Sequence, residues 1–551
     1  MTLRPALRDA ALRWIADDPD PATREELQRV LAAAMVGDAP ALADLADRMS
    51  APLRFGTAGL RGPVRAGPAG MNVAVVRRAT AGLAAWLDAS VRAAGAGGAE
   101  GERLIVVGRD ARHGSEAFAA AAARVLAGAG FDVAELPGPL PTPVLAFAVQ
   151  HLGAVAGVQI TASHNPPTDN GYKVYLGAAV APDAPGAQLV APADTEIEAA
   201  IDAAPPAADV PTALGTRTVD VSEEYLERVG RLPRGTARTL RVALTPMHGV
   251  GGQTAVHALR RAGFTDVHVV ASQAAPDPAF PTVAFPNPEE PGATDALLAL
   301  AAEVGADLAV ALDPDADRCA LGVPLPGGAG PRWRILTGDE TGLLLGDHLL
   351  RAAGPDPLVA TTVVSSSMLR AVAAARGARY AETLTGFKWI VRAGPGLVFG
   401  YEEALGYCVD PGGVRDKDGI AAAVVACDLA AGLRAAGETL LDRLDELART
   451  HGVHLTEGLS VHLDPAARDA VVARLAAAPP AGWAAARSAP DVLVLRRPQE
   501  RVVVRPSGTE PKLKAYLETV EPPGPDLSSA RARAAGRLAA LRAEVSALLG
   551  A

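Results

Sequence analysis

Along this chain, short runs of Val, Ile and Leu alternate with longer Ala-rich stretches of helical character. Apolar runs at residues 104–107, 154–160, 242–245, 307–312, 358–364 and 501–505 predict strands. The stretches 117–127, 252–262, 294–304 and 419–434 predict helices. Strands separated by helices of that length imply βαβ units and mostly parallel sheets, whose ligands sit in loops at the carboxyl ends of the strands. Near the N-terminus, Thr23-Arg24-Glu25-Glu26 has the form of a capping box that opens a helix with Leu27, Val30, Leu31 and Met35 along one side. Pro-, Gly- and Ala-rich stretches at 203–212 and 322–331 read as linkers, with a further break at 450–456. A Pro-Pro-Gly-Pro segment at 522–525 precedes a final Ala/Arg/Leu helix.

At 551 residues the chain exceeds what one core can serve, so three or four domains are expected. A hydrophobic share of 49% and a charged share of 21% fit a globular protein; with only 4% aromatics, Leu, Val and Ala must fill the cores. The net charge of −10 argues against a generally basic nucleic-acid surface. It leaves room for anionic small substrates, because local Arg and Lys reverse the field within a cleft. Cys319, Cys408 and Cys427 lie far apart with no C-x-x-C pair, so neither a disulfide framework nor a structural zinc site is expected, and a reducing, cytoplasmic location is. Met1–Trp14 mixes charged and apolar residues without a signal-peptide core, and no uncharged apolar run reaches the length of a membrane span, so no membrane partner is expected.

Four loops carry candidate chemistry. Thr161-Ala162-Ser163-His164-Asn165-Pro166 follows an apolar run and holds one hydroxyl on a loop stiffened by Pro166 and Pro167, as a nucleophile requires. Asp313-Pro314-Asp315-Ala316-Asp317-Arg318 alternates three carboxylates after a strand, a pattern suited to a hard divalent cation, Mg²⁺ above all. An EF-hand is rejected, since its Gly and Glu positions here hold Arg318 and Pro324. Gly400-Tyr401-Glu402-Glu403-Ala404-Leu405-Gly406 pairs two carboxylates that suit vicinal sugar hydroxyls. Arg505-Pro506-Ser507-Gly508-Thr509-Glu510-Pro511-Lys512 combines a guanidinium fork, two hydroxyls and a glycine whose backbone can turn towards a phosphate. Arg61, set among glycines in 55–62, and Lys173, ten residues after Ser163, add cations; a lysine beside a metal and an arginine is expected to have a lowered pKa and to act as a base.

Taken together, these loops resemble those of the α-D-phosphohexomutase superfamily, in its order and over about residues 50–520. Phe55–Gly62, Pro246–Gly249, Asn287–Glu290 and Leu384–Lys388 look most like the branch that contains phosphoglucomutase-2 and phosphopentomutase. The resemblance implies an α/β fold of four domains around a central cleft, three with mixed sheets and a smaller C-terminal α+β domain. It places an N-terminal helical extension and the first domain in 1–212, the others in 213–325, 326–452 and 453–551. It implies a mutase that interconverts sugar 1-phosphate and sugar 6-phosphate, glucose phosphates first, with phosphopentomutase or phosphomannomutase activity as alternatives. Ser163 would be a phosphoserine, with Mg²⁺ held by Asp313, Asp315, Asp317 and the Ser163 phosphate. Lys173 would be the general acid/base, with His164 and Arg61 beside it. Arg318, Lys388, Glu402 and Glu403 would orient the sugar, and Arg505, Ser507, Gly508 and Thr509 would grip its non-reacting phosphate. A sugar bisphosphate would be intermediate and activator, and the assembly a monomer or homodimer.

The chemistry agrees with these roles. A mutase gives a phosphate to one end of a sugar and retrieves it from the other, so it needs one reacting site, one distal phosphate site and exclusion of water. A phosphatase would need no second phosphate cradle, and a non-catalytic binder would need neither Ser163 nor the aspartates. Many hexomutases have Ser where this chain has Ala404, and some have His at Tyr407; the lost hydroxyl removes a sugar contact and raises the pentose option.

Overall fold

The computed structural model describes residues 3–55, 59–95, 103–327, 332–506 and 512–550. The chain forms two compact units: Met1–Leu232 with Arg241–Cys319 and Gly412–Val424, and Pro233–Leu240 with Ala320–Pro411 and Val425–Ala551.

The first unit opens on three helices, Pro5–Asp17, Pro21–Met35 and Ala39–Arg48, packed around Leu27, Leu31, Leu42 and Leu45. The second helix starts earlier than the capping-box motif predicts. Asp20 is its N-cap and accepts from Ala22 N at 3.0 Å, with Pro21 at the first turn, where a missing N–H costs nothing. Thr23 instead donates to Asp18 Oδ2 at 2.7 Å. Leu27 and Leu31 face the core as expected, whereas Met35 is exposed.

Next comes a mixed sheet of seven strands. Leu104–Arg109 lies between Ala156–Ile160 and Asp132–Pro139, parallel to both. Beyond Ala156–Ile160 the direction reverses through Asp169–Leu176 and Leu60–Pro63. Ala156–Ile160 is buried throughout, which explains its near-continuous apolar run and the absence of alternation. The same unit holds a parallel trio, with Arg241–Thr245 between Leu308–Leu312 and Asp266–Val269.

In the second unit, Leu358–Thr362 lies between Arg379–Thr383 and Leu397–Glu402, parallel to both, and Gly406–Cys408 adds an antiparallel edge. The C-terminal sheet is antiparallel, in the order Val453–His462, Lys512–Glu521, Glu500–Pro506, Val492–Arg497 and Ala484–Ala489. One face packs under Pro465–Ala477 and Leu527–Leu549 through Leu475, Leu493, Leu495, Val502 and Leu541. Val494 and Val503, on the other face, meet Val363 and Val364.

The α/β class with a C-terminal α+β domain is as expected, and the sheet of that domain is antiparallel. Two local readings change. Residues 322–325, read as linker, belong to the strand Cys319–Leu325, which pairs antiparallel with Arg332–Ile335; Pro324 and the glycines conceal it from periodicity. The strand read as 358–364 ends at Thr362, freeing Val363 and Val364 to pack against the C-terminal sheet. Among the described residues no single helix is long and apolar enough to cross a membrane.

Candidate active site

Ser163 sits just past the carboxyl end of Ala156–Ile160, in the left-handed region at φ 53°, and is buried. A non-glycine residue stays there only when its surroundings impose it. Here Ser163 N donates to Thr161 Oγ1 at 2.9 Å. The buried guanidinium of Arg112 gathers the loop's carbonyls: its Nη2 donates to Ser163 O (2.5 Å) and Asn165 O (2.7 Å), its Nη1 to Pro166 O (2.8 Å) and Asp169 O (3.1 Å). Side-chain choice and backbone strain thus aim one hydroxyl.

That hydroxyl points at the aspartate loop. Ser163 Oγ donates to Asp313 Oδ2 at 2.8 Å, and His164 Nδ1 lies 3.2 Å from the same serine oxygen. Asp313, Asp315 and Asp317 are buried, and each offers a carboxylate oxygen within 4.8 Å of the others'. Lys173 Nζ donates to Asp315 Oδ2 at 2.7 Å and Asp317 Oδ2 at 2.9 Å. Lys417 reaches Asp317 Oδ2 at 3.3 Å. Thr142 Oγ1 donates to Asp315 Oδ2 at 2.6 Å. Gly249 backs this loop: a Cβ there would lie 2.4 Å from Pro314 Cα, so only glycine allows the approach.

The charges sort themselves by partner. Burial, then the negative charges of Asp315 and Asp317, raises the pKa of Asp313 well above the carboxylate range. Burial also opposes ionisation of Asp317, but Lys173, Lys417 and Arg318 overcome it and hold the group well below that range. Burial and the cations Arg318 and Arg61 push the His164 imidazole far below its ordinary value, so it is neutral. The expected lowering at Lys173 is reversed. Burial disfavours its ammonium, yet Asp315 and Asp317 outweigh burial and raise its pKa, so Lys173 holds its proton.

Asp315 Oδ1 and Asp317 Oδ1 are buried without a hydrogen-bond partner. Two orphaned carboxylate oxygens next to a third carboxylate are a donor set that suits Mg²⁺. Arg61 is opposite Gly171 in the strand pair and donates to Asn165 Oδ1 at 3.3 Å. Arg318 N donates to Asp313 Oδ1 at 3.0 Å. The first unit therefore brings together Ser163, His164, Arg61, Lys173, Arg318 and the three aspartates.

Lys388, Glu402, Glu403 and Arg505 belong to the second unit. Glu402 and Lys388 are buried. Glu403 Oε2 accepts from Thr362 Oγ1 at 3.1 Å and Ser365 Oγ at 3.3 Å. Although some of the residue stays exposed, its carboxyl packs inward, and burial with the charges of Glu402 and Asp339 raises its pKa to about 7. Gly338 supports this loop, since a Cβ there would lie 1.9 Å from Glu403 O. Arg505 Nη2 donates to Tyr516 OH at 3.1 Å. Ser507, Gly508 and Thr509 lie outside the described residues.

Sequence reasoning passed over Arg112, Thr142 and Lys417. Two left a signal: Gly-Arg-Asp-Ala-Arg at 108–112 follows a strand directly, and four successive charges at 415–418 abut an uninterrupted apolar helix. Thr142 left none.

All four domain models of the phosphoglucomutase/phosphomannomutase family match: the alpha/beta/alpha domains I, II and III at 52–206, 223–325 and 337–451, and the C-terminal domain at 467–523. A Haemophilus influenzae protein named as a phosphomannomutase is 42% identical over 82% of this chain and 93% of its own. The human phosphopentomutase is 33% identical over 81% and 75%. Among solved structures, a Thermus thermophilus protein named as a phosphomannomutase superposes with a TM-score of 0.67 at 27% identity, covering 89% of this chain and all of that one. With its four domains in order and a serine hydroxyl bonded to a triple-aspartate loop, this chain belongs to the phosphoglucomutase/phosphomannomutase family of phosphotransferase isomerases.

Proposed function

We propose that the protein moves a phosphoryl group between positions 1 and 6 of an aldohexose, glucose first, by way of phosphorylated Ser163. The observation that carries this reading is the hydrogen bond from Ser163 Oγ to Asp313 beside two buried carboxylate oxygens that accept no hydrogen bond. Asp313, Asp315 and Asp317 would hold Mg²⁺, which when bound neutralises the carboxylates and polarises a phosphate oxygen.

The chain's own groups supply the rest. Arg112 and Thr161 fix the Ser163 backbone. Lys173 gives its proton to the sugar oxygen that leaves when phosphate passes to Ser163, and recovers it in the second half-reaction. His164, neutral and beside Oγ, accepts or returns the serine proton. Arg61 and Arg318 add positive charge for the phosphate. Glu402, Glu403 and Lys388 bind the sugar, and Arg505 with Ser507, Gly508 and Thr509 binds the distal phosphate of either orientation of a bisphosphate intermediate.

A pentose reading, 1-phosphate to 5-phosphate, has its own support in Ala404 and in relatives named phosphopentomutase and phosphoribomutase at 33% and 34% identity. The test compares kcat/KM for glucose 1-phosphate, mannose 1-phosphate and ribose 1-phosphate, each with Mg²⁺ and its bisphosphate. Ser163→Ala abolishes turnover of all three while the fold persists; near wild-type activity in that variant overturns the mechanism.

A further inference from the structure

In the second unit, the C-terminal sheet carries an unusual row of charges. Arg496, Arg501 and Glu518 are direct cross-strand partners on three adjacent strands, with Thr456 next in line. Like charges directly opposite one another destabilise a sheet, and Arg496 faces Arg501. Arg497, next along the strand, is neutralised by Glu500 and by Glu544 at 2.8 Å.

Arg496, Arg501 and Glu518 border a cavity of about 330 Å³ that also meets Ser367, His454, Arg497, Gln499 and Glu500. The cavity lining holds Arg496, Arg497 and Arg501 against two carboxylates, Glu500 and Glu518. Glu382 is shared by Arg370 at 2.6 Å, Arg501 at 3.5 Å and Arg496 at 3.8 Å. Glu518 is taken by Arg501 at 2.8 Å, with His454 Nδ1 at 3.3 Å. Arg370, Arg496 and Arg501 thus share Glu382 and Glu518. The Arg496 side chain, 46% exposed, has that 3.8 Å contact with Glu382 as its ion pair and donates no hydrogen bond among the described residues.

We propose that this cavity is a second anion site, which takes the phosphate group of a small metabolite on Arg496 and Arg501. The volume suits a phosphorylated small molecule, and Gln499 borders it with a side-chain amide. A dianion held by the Arg496 fork offsets its repulsion from Arg501, whose own Nη atoms are bonded to Val363 O, Ser365 O, Glu382 and Glu518. Arg501 is already anchored to Val363 O at 3.0 Å and to Ser365 O. An occupied site therefore ties the segment 363–370 to the C-terminal sheet and stabilises this unit.

The probe is inorganic phosphate, titrated at constant ionic strength against chloride, with thermal unfolding of the full-length protein as readout. Arg505→Gln serves as background, to remove the grip proposed for substrate phosphate. Phosphate raises Tm in wild type and in Arg505→Gln, and Arg496→Gln in that background weakens apparent affinity at least about tenfold, which is about 1.4 kcal/mol. Arg496→Lys, which keeps the charge without the fork, falls between them. An undiminished phosphate response in Arg496→Gln overturns the proposal. So does an equal response to chloride, which marks screening alone. Should Arg496→Gln fail to fold, Arg496→Lys decides: an affinity equal to wild type overturns the proposal, and a reduced one supports it.

Discussion

Arg112 Nη2 lies 2.5 Å from the carbonyl oxygen of Ser163, and the same guanidinium reaches three further carbonyls of the loop. One buried fork thus holds the backbone that presents the serine hydroxyl to Asp313. Arg112→Ala strands four carbonyls in the interior. It is expected to cost about 2–4 kcal/mol in urea unfolding and about 100-fold in kcat. Arg112→Lys restores charge but cannot span the fork geometry, and recovers only part of either loss. Wild-type kcat in Arg112→Ala would refute the positioning role.

Lys173 lies between Asp315 and Asp317 and compensates their buried charge. Lys173→Met leaves the carboxylates uncompensated, so the variant unfolds at lower temperature in EDTA. Adding Mg²⁺ then raises Tm by more in Lys173→Met than in wild type, because the cation takes over charge that the lysine carried. Equal Mg²⁺ increments in the two proteins would contradict the arrangement.

Glu403 gives a pH signature. Its pKa is raised from 4.5 to about 7, so the folded protein keeps a proton that the unfolded chain releases. Folded stability therefore falls as pH rises from about 4.5 to about 7, by at most about 3 kcal/mol from this group. Glu403→Gln removes that slope; the difference between the two proteins in urea unfolding across this window isolates it.

Glu518 has the opposite sign. Burial works against its charge, but His454, Arg501 and the Ser367 amide hold its pKa at about 2. Its contribution is complete above about pH 4.5 and is lost as pH falls towards about 2. Glu518→Gln is expected to destabilise at pH 7 by about 3–5 kcal/mol, since Arg501 is left buried with a weaker partner. The deficit narrows in acid, and calorimetry between pH 3 and 7 reads it.

Ala404→Ser tests specificity. The restored hydroxyl is expected to raise kcat/KM for glucose 1-phosphate relative to ribose 1-phosphate by a few-fold to about tenfold. An unchanged ratio would assign the preference to other residues.

Much of this protein could be read in the chain itself. The alternation of apolar runs and Ala-rich stretches located the parallel strands, because buried strands and helices differ in length and composition. The serine and aspartate loops could be picked out because their residues lie a few positions apart, at the ends of those strands. The strand Cys319–Leu325 was not, since Pro and Gly mask its pattern and pairing with Arg332–Ile335 forms it.

Tertiary structure decided what those loops do to one another. Ser163 meets Asp313 across 150 residues, and Lys173 meets Asp317 across 144. Sequence proximity suggested a lysine with a lowered pKa; the fold instead places two carboxylates on it and raises the pKa. Spacing determines which groups a loop can offer. Burial and charge partners, brought from distant segments into a low-dielectric interior, determine which of those groups hold their protons.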